Sequence, residues 1–235
     1  GGSSGHAALI SRIAVAFMDR GEPEAEQIAD LAVEQGEDKA RETKGYVLTS
    51  MGKLDEAESE FGAIDSKTGL AKVALERGNY EQAEQLAAEA SADSYAAVIK
   101  GEALLRSGKL DEAAASFGAV EQAPMEDWKR SEAIAGEARV MQEKGDLDGS
   151  IAKNREAVEM NYYNVVALSN EAAARRDKGD LGAASKVLEK AKGIRANDDL
   201  VALMLKQVQD ELQKANDVAR QELIRNQIKD LVARY

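Results

Sequence analysis

Gly52-Lys53-Leu54-Asp55-Glu56-Ala57 is the clearest copy of a hexapeptide that returns down the chain. It recurs as Gly78-Asn79-Tyr80-Glu81-Gln82-Ala83, Gly108-Lys109-Leu110-Asp111-Glu112-Ala113, Gly145-Asp146-Leu147-Asp148-Gly149-Ser150 and Gly179-Asp180-Leu181-Gly182-Ala183-Ala184. A looser copy, Gly21-Glu22-Pro23-Glu24-Ala25-Glu26, precedes them. The intervals between Gly21, Gly52, Gly78, Gly108, Gly145 and Gly179 are 31, 26, 30, 37 and 34 residues. A period in this range marks a solenoid, in which each unit is too small to bury its own apolar face and stacks on its neighbours.

Each copy sits between two helical patterns and reads as a helix–turn–helix corner. The glycine supplies the positive φ that ends the first helix without a Cβ clash. In every copy but the last, where Gly182 stands, the residue three positions later is Asp or Glu in the first turn of the next helix, near the positive end of its dipole. The Leu or Tyr between them plugs the corner, and the small residue five after the glycine lets two helices cross closely.

With these corners in place the chain resembles the tetratricopeptide repeats, whose unit is two antiparallel helices over about 34 residues. Seven positions before each turn glycine stands a small residue: Gly45, Ala71, Gly101, Ala138 and Ala172. Nine after it stand Phe61, Ala87, Phe117, Asn154 and Leu188, and twelve after it Ile64, Ala90, Val120, Ala157 and Ala191. The match runs from about Ala7 to Lys192. It departs from the pattern at the first, out-of-register copy, at the 26-residue interval, and at polar Ser150 and Asn154. The resemblance implies an all-α, right-handed superhelical solenoid of about six hairpins with a long C-terminal capping helix. The Ala-rich repeats also resemble those of bacterial envelope-assembly lipoproteins, which implies a bacterial origin and leaves periplasm, envelope and cytoplasm open.

The 235 residues carry a formal net charge of −12 with pI near 4.8, and the sequence shows no basic stripe. Such a surface repels phosphate backbones, so nucleic acid is not an expected partner. Cysteine is absent, which removes disulfides and thiol chemistry, and the one histidine, His6, stands beside the N-terminus. The carboxylates fall at helical spacings of three and four, as solvated pairs do. No nucleophile, acid–base pair, metal set or phosphate-cradling glycine loop is evident, so neither an enzymatic role nor a cofactor is expected. No stretch approaches the ~20 apolar residues of a membrane span.

The expected domains are residues 1–6 as an expression scar, 7–196 as the solenoid, and 197–235 as a capping and extension helix. The native N-terminus is expected to be missing. Trp128, the only tryptophan, follows the longer connection Glu121–Asp127 and reads either as a wedge that fills the gap there or as an exposed anchor for a ligand. Beyond Asn197 an apolar stripe continues from Leu200 to Leu231, with a break expected near Asn216-Asp217. The part from 218 to 235 is longer than a cap requires, which suggests pairing with another copy or a passage into a further domain.

The resemblance further implies that the first helix of each hairpin lines a concave wall that binds peptides or proteins. Carried over by register, that wall holds Tyr46, Lys72, Tyr95, Arg106, Arg139, Asn170 and Arg176, the expected partner-binding residues. Asn170 matches one member of the carboxylate clamp found in part of the family, but the clamp's other residues are missing. The expected function is a protein-interaction scaffold. The competing readings are a self-associating structural module and a spacer or sensor for a further domain.

Overall fold

The structure is a computed structural model that describes residues 2–234, with side chains from residue 5 onward. Gly1 of the expected scar and Tyr235 of the expected extension lie outside the described residues. The described residues form helices and turns only. The helices are α1 (Gly2–Asp19), α2 (Glu24–Val33), α3 (Asp38–Ser50), α4 (Leu54–Ala63), α5 (Lys67–Glu76), α6 (Tyr80–Glu89), α7 (Ser94–Arg106), α8 (Leu110–Gly118), α9 (Asp127–Glu143), α10 (Leu147–Met160), α11 (Val165–Asp177), α12 (Leu181–Ile194) and α13 (Asp199–Val232). Consecutive pairs make six hairpins, and the odd-numbered helices also pack on one another in series as an inner layer.

All six corner glycines have positive φ, from 68° at Gly21 to 86° at Gly145, as does Gly36 (83°) between the first two hairpins. The residues five beyond the later corners, Ala57, Ala83, Ala113, Ser150 and Ala184, are fully buried where the two helices of a hairpin cross. Of the polar departures, Asn154 Nδ2 donates to the Ser150 carbonyl at 3.0 Å, while its Oδ1 is buried without a partner. The 26-residue interval is absorbed by α5, which has ten residues where α3 and α7 have thirteen.

Two phenylalanines show how tightly neighbouring hairpins lock. The Phe61 ring of α4 lies where a Cβ on Gly45 (α3) would sit 2.5 Å away and one on Gly69 (α5) 2.0 Å away. Phe117 of α8 is held the same way between Gly101 (α7) and Gly136 (α9), at 2.7 and 2.4 Å. Each ring therefore fills the space left by two missing side chains on successive inner helices, at the density of a protein interior.

The solenoid turns so tightly that its beginning meets its end. Asn161, in the α10–α11 loop, donates to the Asp19 carboxylate at 2.9 Å, and Arg195 Nε donates to the Asp19 carbonyl at 2.8 Å. Arg20 lies 6.0 Å from the Tyr163 ring centroid. Burial in this contact pushes the Asp19 carboxyl up to about 6, opposed by the Asn161 hydrogen bond and reinforced by Glu132.

α13 is one unbroken helix, so the break expected near Asn216-Asp217 is absent. Val201, Leu205 and Val208 seat its first half on the last hairpin, and everything from Gln213 to Arg234 is exposed. At the other end α1 already begins at Gly2, within the stretch set aside as a scar.

Gly69→Ala should lower stability by about 1–3 kcal/mol, because the new methyl must displace the Phe61 ring. Gly62→Ala, on the open side of α4 with nothing within 4 Å, should raise it by about 0.5–1 kcal/mol. Urea unfolding followed by circular dichroism checks both signs. Because the folded state holds the Asp19 proton more tightly than the unfolded chain, Asp19 makes stability fall as pH rises from about 4 through about 6. Asp19→Asn should flatten that part of the stability–pH curve relative to the parent.

Candidate functional site

The inner layer encloses a cavity of ≈ 270 Å³ between α5, α7, α9 and α11, closed at one side by the Asp19–Asn161 contact. The helical register explains its lining: positions one turn apart on successive inner helices face the same axis. Lys72 and Glu76 come from α5, Glu102 and Arg106 from α7, Glu132 and Arg139 from α9, and Asn170 from α11. Val98, Ile99, Trp128 and Val166 supply apolar surface among them.

The charges are knitted across helices. Lys72 Nζ lies 3.4 Å from Glu76 and 3.6 Å from Glu132, while Arg106 is 2.7 Å from Glu102 and 3.9 Å from Glu76. Burial opposes the charge on Lys72, but Glu132 and Glu76 outweigh it and hold the ammonium above its ordinary value. Arg139 has only a 3.6 Å contact with Glu102. Asn170 Nδ2 is buried without a hydrogen-bond partner, an unspent donor in the cavity lining.

The structure thus brings together Lys72, Arg106, Arg139 and Asn170 from the expected wall. The other three expected residues go elsewhere. Arg176 lies outside this cavity, where both oxygens of Glu211 on α13 hold its guanidinium and pin the terminal helix. Tyr46 and Tyr95 occupy inner helices as expected but are buried, at 4% and 0% exposure, which corrects the expectation of a surface pair.

The reason is the tight turn, which brings α3, α7 and α9 together. Tyr46, Tyr95 and Trp128 meet edge to face, with ring centroids 5.4–5.6 Å apart. Lys129 inserts its ammonium among them, 4.9 Å from Tyr46, 5.0 Å from Tyr95 and 5.3 Å from Trp128. Cation–π attraction offsets the desolvation of that lysine, and Glu126 lies 3.0 Å from it. Trp128 packs on the two tyrosines and lines the cavity, while the longer connection is held by Arg130, which donates to the Glu121 carbonyl at 2.6 Å; Lys129 carried no sequence signal. A lysine following a tryptophan reads as solvent-facing until the curvature is known.

The two tyrosines differ in one respect. Tyr95 Oη donates to Glu132 at 2.5 Å, whereas Tyr46 Oη is buried with no partner. Tyr46→Phe should therefore leave stability unchanged or raise it by up to about 1 kcal/mol, since a desolvated hydroxyl is removed. Tyr95→Phe should lower it by about 1.5–3 kcal/mol, the range for a hydrogen bond to a charged group. Urea midpoints for the two variants, measured with Trp128 fluorescence, test the pair.

A family model described as "Tetratricopeptide repeat" matches residues 66–89, the third hairpin. No curated protein matches the chain. Among solved structures it is similar to the APC/C hetero-tetramer Cut9-Hcn1, with a TM-score of 0.63 at 13% identity, covering 86% of this chain and 42% of that one. It is similar to the human IFIT1 dimer with m7Gppp-AAAA (TM-score 0.61, 15% identity, 90% of this chain and 58% of that one). It is also similar to yeast Tom70 (TM-score 0.57, 13% identity, 83% and 44%). The chain therefore spans about two-fifths to three-fifths of the length of these proteins. The matched third hairpin, the six corner glycines and the shared architecture give this chain an all-α solenoid fold similar to that of the tetratricopeptide-repeat proteins.

Proposed function

We propose that this chain is a binding scaffold that takes a short segment of a partner protein into its inner cavity. The observation that carries the reading is the lining itself. An apolar floor of Val98, Ile99 and Trp128 lies among cations and carboxylates, and Asn170 Nδ2 has no partner. Apolar surface with a few convergent polar groups is what a recognition site requires. At ≈ 270 Å³ the space suits one or two side chains and the backbone between them, not a long extended peptide.

Arg139 and Asn170 are the groups with most to gain from a ligand, because their present contacts leave donors unspent. Lys72 and Arg106 are already paired, so they shape the rim and set its potential. The closed wall needs no rearrangement to present this surface, which lowers the ordering cost of binding. The IFIT1 structure holds a capped RNA, but the negative charge of this chain and the carboxylates Asp19, Glu76, Glu102 and Glu132 in its cavity speak against phosphate ligands. No described helix is long and apolar enough to cross a membrane. Arranging a bound segment, with no bond made or broken, is the role that these side chains support.

Selection from a random peptide library displayed on phage, followed by titration of the selected peptides, tests this. Arg139→Ala and Asn170→Ala should each weaken binding about tenfold or more, in line with loss of a buried interface contact, with helical circular dichroism unchanged. Peptides that bind both variants as tightly as the parent would place the site elsewhere.

A further inference from the structure

We propose that the distal half of α13 docks on the first hairpin of a second copy of this chain, joining molecules head to tail. The starting observation is an unsupported helix. From Gln213 to Arg234 every residue is exposed, and the helical part, to Val232, extends about 30 Å beyond the body. Its apolar side chains therefore bury nothing within this molecule.

Its surface is patterned for a contact. Ile224, Ile228, Leu231 and Val232 follow helical spacing on one side and are all exposed. Successive residues step by 100°, so this stripe has Arg220 and Arg234 along one border and Arg225 and Lys229 along the other. Between 214 and 234 stand five basic residues (Lys214, Arg220, Arg225, Lys229, Arg234) and three acidic ones (Asp217, Glu222, Asp230). This arm is thus net basic in a chain whose formal charge is −12.

The complementary surface lies on the first hairpin. Between Gly21 and Asp38 stand seven acidic residues (Glu22, Glu24, Glu26, Asp30, Glu34, Glu37, Asp38) and no basic one. Glu26 and Asp30 are paired with Lys53 and Lys44, whereas Glu24, Glu34 and Asp38 are exposed. Glu24, Leu31 and Glu34 fall on one outer face of α2, and α1 beside it exposes Leu9 and Ile13. An apolar stripe with basic borders therefore meets Leu31 set among the carboxylates of α2, with Leu9 and Ile13 extending the apolar surface on α1 beside Arg12.

The geometry requires the two surfaces to come from different molecules. α13 is unbroken and anchored on the last hairpin, so the arm cannot turn back onto its own α2. Two arms paired with each other would bring together two segments that are both net basic, which is unfavourable. The contact is heterologous, with different patches on the two partners, and so builds closed rings or open chains.

Sedimentation velocity across a dilution series of the full chain should show mass rising with concentration, and the association should weaken as salt screens the charges. The triple reversal R220E/R225E/K229E, and separately E24K/E34K/D38K, should each weaken self-association at least tenfold with circular dichroism unchanged. Mixing the two reversed chains should restore it, because each arm then faces a hairpin of opposite charge. A chain that stays monomeric throughout the series overturns the proposal. So does an arm-reversed chain that associates like the parent, a mixture that fails to recover, or an arm that binds anionic phosphatidylserine vesicles while the chain remains monomeric.

Discussion

Two phenyl rings, Phe61 and Phe117, each occupy the space that two glycines on successive inner helices leave open, and the curvature of the molecule follows from how closely those helices approach. A side chain at Gly69 or Gly136 would push the inner helices apart and open the turn. Stacking is obligatory in this architecture, because no single hairpin has a partner for its apolar face. The distance between stacked units is a further variable, and here it is set by the smallest residues available. A small difference in that distance at each interface adds up over six hairpins.

The accumulated turn has consequences far from the rings. It brings the corner after α1 against the α10–α11 loop and Arg195, closing the inner layer on itself. It also buries Tyr46, Tyr95, Trp128 and Lys129 together, consuming aromatic surface that a more open solenoid would present to a partner. What remains on the inner wall is compact, charged and only partly satisfied, a cavity in place of a long groove. Arg176 is withdrawn from that wall by the same economy of contacts, since Glu211 holds the terminal helix through it.

The repeat was legible because its evidence is local. A glycine at positive φ, an acid in the next first turn and a small residue at the crossing are each dictated within six residues, and the structure places them as expected at the later corners, save that the helix after Gly179 has no acid in its first turn. What register arithmetic could not supply was the radius of the superhelix. Tyr46 and Tyr95 stand on the inward side by position, yet whether an inward side chain is exposed depends on how far away the opposite wall lies. That distance comes from Gly45, Gly69, Gly101 and Gly136 acting together; Gly45 and Gly101 were read as small positions without the rings they admit, and Gly69 and Gly136 fall outside the repeat pattern. The continuity of α13 through Asn216-Asp217 was also misjudged: two polar residues of modest helix propensity do not break a helix when neither is proline or glycine.

Closure of the inner layer is the claim on which the cavity stands, and the absence of cysteine makes it directly measurable. Spin labels attached at Pro23→Cys, beyond α1, and Tyr162→Cys, in the α10–α11 loop, report the gap between the beginning and the end of the turn by double electron–electron resonance. A single narrow, short distance is the result this account predicts. A broad distribution extending to long distances would show an open superhelix, with the two tyrosines returned to its surface.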